Sequence, residues 1–208
     1  AAVNPGVFMS WHLTPSDEWS MEAGLRADLV TAAITADVDL HQPPMNNGAV
    51  GLSLFDFYGT EDVDRIFGLS TAFASVNYQA TENWSFQAAA GHGARAPSLT
   101  ELYAAGPFMF LLQNGQNALI GNPTLRPERR TQLDLGVQFQ SDRLTFQANA
   151  WHAWIHDAVT FENVGVSVIN NVVEQVALTY VNTDLATMSG FETACDYRVV
   201  DGLGLFGI

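Results

Sequence analysis

His152 and His156 stand four residues apart in Trp151-His152-Ala153-Trp154-Ile155-His156, a spacing that raises the question of a shared metal ion. The surrounding pattern is that of a strand, in which four residues span about 13 Å. A metal ion with bonds near 2 Å does not bridge that gap, so both read as histidines at an interface or in a lumen. His41-Gln42-Pro43-Pro44-Met45 offers a soft imidazole and thioether pair of the kind that suits copper, and His12 lies elsewhere. Asp37, Asp39, Asp56, Glu61, Asp62 and Asp64 supply the hard oxygens a Ca²⁺ ion takes, but at no EF-hand spacing. They read as a solvated acidic loop. Gly91-His92-Gly93 opens like a phosphate loop, yet Ala96 stands where the third glycine belongs and no helix is expected after it. No Ser/His/Asp set or carboxylate pair has supporting context, so no catalytic residue, enzyme activity, metal site or cofactor is expected.

The stretch that organises the chain is Gly91 to Glu128. Before it, Trp84, Phe86, Ala88 and Ala90 alternate with Ser85, Gln87 and Ala89. After it, Leu133, Leu135, Val137 and Phe139 alternate with Gln132, Asp134, Gly136 and Gln138. Period-two alternation marks strands with one apolar and one polar face. Between them lies a loop longer than the ~12–15 residues usual in a compact domain, which points either to a functional loop or to further elements within it. Pro97, Pro123 and Pro127 restrict its backbone. Asn122 before Pro123 favours a turn, and Arg95 can hold an acidic partner such as Glu128. Arg95, Glu101, Asn122 and Glu128 are therefore expected to fix the loop against neighbouring strands.

Composition narrows the class. The chain has 208 residues, a formal charge of −14 and only 14% charged residues, below the ~25% of soluble proteins. All eight basic residues are arginines. The acidic balance argues against a nucleic-acid partner, which demands a basic surface. Cys195 is the single cysteine, so no internal disulfide forms; it reads as a small buried residue. No run of about 18 apolar residues suits a membrane helix, which is uninformative for a β-barrel.

Further strands are expected at Val7–Leu13, at Trp19–Leu29, from about Ala72 to Tyr78, from Leu144 to about Thr160, and from about Thr179 to Tyr197. Their connections alternate in length. Thr14–Glu18, Ala80–Asn83, Ser141–Arg143 and Asp201-Gly202 are short; about Thr35–Asp64, the central stretch and Phe161 to about Ala177 are long and irregular. An antiparallel meander then collects all tight turns at one end, the asymmetry of bacterial outer-membrane barrels. Aromatic pairs flank the turns: Trp11 and Trp19, Tyr78 and Trp84, Phe139 and Phe146, Tyr197 and Phe206. Amphipathic rings gather at membrane interfaces. Glu22, Arg26, Asp28, Gln87, Gln132, Asp134, Gln138, Gln147 and Asn149 fall on the other face and fit a wet lumen. The fold expected is all-β: an antiparallel up-and-down transmembrane barrel, partial, with about eight strands of a larger one. The competing reading is a soluble antiparallel β-sandwich, for example a carbohydrate-binding module.

Arg95-Ala96-Pro97-Ser98 with Glu101-Leu102-Tyr103, then Asn122-Pro123, Leu125 and Pro127-Glu128, resembles the barrel signature of TonB-dependent outer-membrane receptors. Tyr180-Val181-Asn182 with Ala186, Gly190, Phe191 and Glu192 resembles a later pattern of that family, as does Trp154-Ile155-His156-Asp157, where His156 and Ala158 depart from it. The resemblance covers chiefly Ala72 to Asp201. It implies a barrel of about 22 strands around a plug, with residues 1–208 a barrel fragment from which the plug domain and last strands are absent. It implies a bacterial outer-membrane transporter of a scarce ligand (siderophore, metal chelate or cobalamin), partnered by outer-membrane lipid and, through the plug, by TonB. Phe57, Tyr58, Tyr103, Phe108 and Phe110 are the expected ligand contacts on extracellular loops, because aromatics offer large rigid faces at low entropic cost.

Overall fold

The computed structural model describes residues 2–33, 64–109, 116–169, 172–200 and 202–208, with side chains at 2, 105–109, 116–118, 165–169 and 172–177 outside the description. The first edge strand comes in two pieces, β1 (Ala2–Val3) and β2 (Gly6–Ser16), both paired to β3 (Trp19–Ala32). Asn4-Pro5 interrupts it, and a proline on an edge costs no ladder bond. Pro15 falls in a register shift between Leu13 and Ser16. The first turn is therefore Asp17-Glu18 alone, shorter than the expected Thr14–Glu18. Then follow β4 (Arg65–Gln79), β5 (Trp84–Arg95), α1 (Leu99–Tyr103), β6 (Ala105–Met109), β7 (Gln116–Ile120), β8 (Glu128–Gln140), β9 (Leu144–Ile169), β10 (Val172–Val200) and β11 (Leu203–Gly207).

All eleven strands belong to one open sheet. With no second sheet packed on it among the described residues, the sandwich reading fails. Outside β6 and β7 the strands pair in chain order and antiparallel, and counting β1 with β2 gives the eight expected.

Three expectations need correction. First, 161–177 is no irregular stretch: β9 and β10 stay paired up to Ile169 and Val172. Val164, Val166 and Val168 favour strand and alternate with Asn163, Gly165 and Ser167, a signal the neighbouring Asn and Gly obscure, whereas Val172-Val173 breaks the period. Second, the central stretch holds a one-turn helix and a hairpin. The hairpin strand β7 pairs with β10 in parallel. Third, β4 begins at Arg65 rather than near Ala72.

Register defines two faces, because directly opposed residues project to the same side. One face carries Met21, Val76, Ala88, Leu135 and Ala150. The other carries Glu22, Arg26, Asp28, Gln87, Gln132, Asp134, Gln138, Gln147 and Asn149, the polar set expected together. On this polar face two aromatic rings lie over glycines. A Cβ at Gly24 would stand 2.3 Å from the Phe73 ring, and one at Gly190 would stand 2.9 Å from Trp151.

On the apolar face at the turn end, Trp19 opposes and stacks on Tyr78 at 4.4 Å, Trp84 lies 4.8 Å from Phe139, and Phe139 opposes Phe146. Two expected members do not join this row. Trp11 opposes Ala23, well up the strand, and Phe206 opposes Asp196, on the polar face. Cys195 is exposed rather than buried, because it opposes Phe146 on the outward apolar face.

Candidate functional site at the loop end

The end of the sheet away from the tight turns is where the organising stretch folds back. Residues 96–104 and 119–127 form two arms that lie across the strand ends. Ser98 starts α1 with a reciprocal cap: its hydroxyl accepts from Glu101 N at 3.2 Å, and Glu101 Oε2 accepts from Ser98 N at 2.6 Å. Such a box satisfies two helix-end donors. The spacing Ser98-Leu99-Thr100-Glu101 states it in the sequence, yet the sequence reading expected no helix here.

Arg95 ends β5 and serves two carboxylates. Its Nη1 and Nη2 donate to Glu101 at 2.8 and 3.1 Å, and its Nε donates to Glu128 Oε2 at 2.6 Å. The other Glu128 oxygen accepts from Val159 N at 2.7 Å. Glu128 is the first residue of β8, so Val159 lies beyond the neighbouring strand's ladder, and the carboxylate takes the place of the missing carbonyl. Burial raises the energy of an ionised Glu101, but hydrogen bonds from Arg95 and Ser98 outweigh it. The carboxyl is held below its usual range.

The second arm is fastened by amides. Asn122 is buried; its Oδ1 accepts from Thr124 N and Oγ1, and its Nδ2 donates to Tyr180 O at 2.7 Å. Asn122 N donates to Glu101 O and Gly121 N to Ala104 O, joining the arms. A Cβ on Gly121 would stand within 2.4–2.6 Å of backbone atoms at Leu102, Tyr103 and Ala104, so only glycine fits. Pro123 is fully buried, and its carbonyl accepts from Arg65 Nε at 2.5 Å. Asn182 contacts Arg126 N and O and also Asp157 O. The buried Asp157 carboxylate accepts from Arg126 and Arg129, each at 2.6 Å. Its φ of 55° puts it in the left-handed region, where a short polar side chain is tolerated best.

Between the arms and the strands lies an apolar cluster: Ala32, Phe67, Leu102 and Leu125, with Val30, Leu69, Ala96, Tyr103, Val159 and Tyr180 against it. The Tyr103 hydroxyl donates to Ala32 O at 3.2 Å.

Arg95, Pro97, Glu101, Asn122, Pro123 and Glu128 thus gather in one place, with Tyr103 beside them. Phe108 lies in β6 opposite Asn117. Phe57, Tyr58 and Phe110 lie outside the described residues, as do His41, Met45, Asp37, Asp39, Asp56, Glu61 and Asp62. His152 packs edge-on against Trp154 at 4.3 Å, and no group of three metal-ligating side chains occurs among the described residues. Sequence reading missed Arg65, Arg126 and Arg129, and it noted Asp157 and Asn182 without a role.

Solved structures of similar fold include the copper transporter OprC, with TM-score 0.68 and 20% identity over 96% of this chain and 28% of that one. The hemophore receptor HasR of Serratia marcescens, in complex with its hemophore HasA and heme, gives TM-score 0.66 and 18% identity over 95% and 32%. The siderophore receptor PirA from Pseudomonas aeruginosa gives TM-score 0.60 and 12% identity over 97% and 40%. At these identities the likeness is one of fold, and the chain spans well under half of each of these proteins. No protein of curated function matches by sequence. The profile described as "TonB dependent receptor-like, beta-barrel" matches residues 3–208, nearly the whole chain. The chain belongs to the TonB-dependent receptor-like β-barrel family.

Proposed function

We propose that the chain is barrel wall from a bacterial outer-membrane receptor that imports a scarce ligand under TonB-coupled energy. One observation beyond the family carries the membrane reading. On β5, β8 and β9, a turn-end row (Trp84, Phe139, Phe146) and a second row (His92, Thr131, Trp154) lie eight residues apart on the apolar face. Eight residues rise about 26 Å, or about 20 Å along the membrane normal at a tilt near 40°, close to the ~25 Å apolar band of outer-membrane barrels. The tight turns then face the periplasm and the arms lie at the extracellular mouth. Siderophore, metal chelate and cobalamin remain the ligand classes. Copper, heme and siderophore in the names of the similar structures support a metal or metal complex. We assign ligand contact to the loop aromatics Phe57, Tyr58, Tyr103, Phe108 and Phe110. TonB would act through a plug domain.

The test is uptake of copper(II), haemin and ferric enterobactin by cells making the full-length receptor, with and without TonB. TonB-dependent accumulation of one of them is expected. Recovery of the full-length protein in the aqueous fraction without detergent would refute the membrane assignment.

A further inference from the structure

The polar face has a dry zone. Val30, Ala32, Phe67 and Leu69 of β3 and β4 project on the same side as Arg26, Asp28 and Thr71. Val159 and Tyr180 do so from β9 and β10. These six would be an apolar patch in a wet lumen, and the arms cover them with Ala96, Leu102, Tyr103 and Leu125. The arms are also tied by hydrogen bonds to walls on opposite sides: Tyr103 to β3, Arg65 of β4 to Pro123, Asn122 and Ile120 to β10.

We propose that arms 96–104 and 119–127 are a fixed internal brace across β3 to β10, docked throughout a transport cycle, so that ligand-driven movement belongs to segments outside it. The transport cycle rests on the function proposed above; the brace itself rests on packing. Segments that move in proteins are drawn from those with few buried contacts and solvent-exposed hydrogen bonds. The arms are the opposite. Leu102 and Leu119 are almost wholly buried, as is Pro123. Lifting the arms would uncover the apolar patch and exchange the Asn122–Tyr180 hydrogen bond for water, a cost dominated by the apolar area exposed.

The experiment uses the full-length receptor in two ways. Hydrogen exchange compares the amides of Ala104, Gly121 and Asn122, all bonded within the arms, with ladder amides of β4 and β8. Equal protection, with and without haemin, copper(II) or ferric enterobactin, is expected. Fast exchange in the arms alone, or exchange that one of these probes accelerates, overturns the brace. This measurement needs no transport, so it stands if the uptake reading fails. The second arm is a staple in a Cys195→Ser background: Ile120→Cys with Thr179→Cys, which are opposed across the β7–β10 pair. Adjacent strands lie about 4.8 Å apart, within disulfide reach. Uptake of whichever probe the cells accumulate should change by no more than about twofold between oxidised and reduced forms, because no gating step is blocked. Loss of uptake on oxidation, restored by reduction, overturns the proposal.

Discussion

The two ends of the sheet solve the same problem differently. At the turn end, strands are joined by two to four residues, and Trp19, Trp84 and Tyr197 stay exposed. Nothing among the described residues covers them. At the loop end the chain folds over itself and buries Leu102, Leu119 and Pro123. One end leaves its rings exposed, the other makes its own interior. Mutations should therefore separate the two ends cleanly.

The largest separation should come from Gly121→Val. Its Cβ meets backbone that no rotamer change can move, so the arms should undock. In the full-length receptor, the 96–127 segment should become protease-sensitive while the barrel still resists SDS unheated. A segment that stays resistant would refute the close approach. Leu102→Ala removes a fully buried side chain and should destabilise arm docking by about 2–4 kcal/mol, read as faster exchange of arm amides. Turn-end amides should not respond.

Arg95→Ala should weaken docking by about 1–3 kcal/mol, since it leaves two carboxylates without their shared cation. Glu128→Ala should cost a similar amount. If they act as a pair, the double variant is little worse than either single one. Strictly additive losses in ligand affinity and protease resistance would break the pairing.

Acid offers a gentler probe. Because the folded Glu101 carboxyl lies below its ordinary 4.5, the network's contribution is complete above that value and falls away as pH drops through the lower folded one. Protease sensitivity of the arms should match at pH 7 and pH 5.5 and rise only in strong acid. A transition near neutrality would implicate another group. Smallest of all, Trp19→Ala removes a stacked pair worth about 1 kcal/mol beyond area and should leave the arms untouched.

Much of this was legible in the sequence, for identifiable reasons. Alternation at Trp84–Ala90 and Leu133–Phe139 works because one face is apolar and the other polar, so β5 and β8 were plain. At 161–177 the signal is mixed: Val164, Val166 and Val168 alternate with Asn163, Gly165 and Ser167, but Val172-Val173 breaks the period, so the outer ends of β9 and β10 resemble a loop. Arg95, Asn122 and Glu128 stood out because proline-rich turns surround them. Arg65 and Asp157 did not, because their partners are far away in sequence: Arg65 meets Pro123, and Asp157 meets Arg126 and Arg129. Only folding brings those together. The cap at Ser98 was local and readable, and was passed over because a long loop discourages looking for a helix of one turn.

Asn182 shows what the fastening demands. Its carboxamide accepts from the Arg126 N–H and donates to the Arg126 carbonyl, the two bonds a neighbouring strand residue would make. A side chain is here imitating a peptide group. A backbone partner would fix the arm's position by register, which can slip by two residues and still satisfy every group. A carboxamide on a single methylene cannot slip. Asp in its place would lack the donor, and Gln would push the amide outward by one carbon. The arm is thus held at one setting by a covalent length, much as a key is set by the depth of one cut.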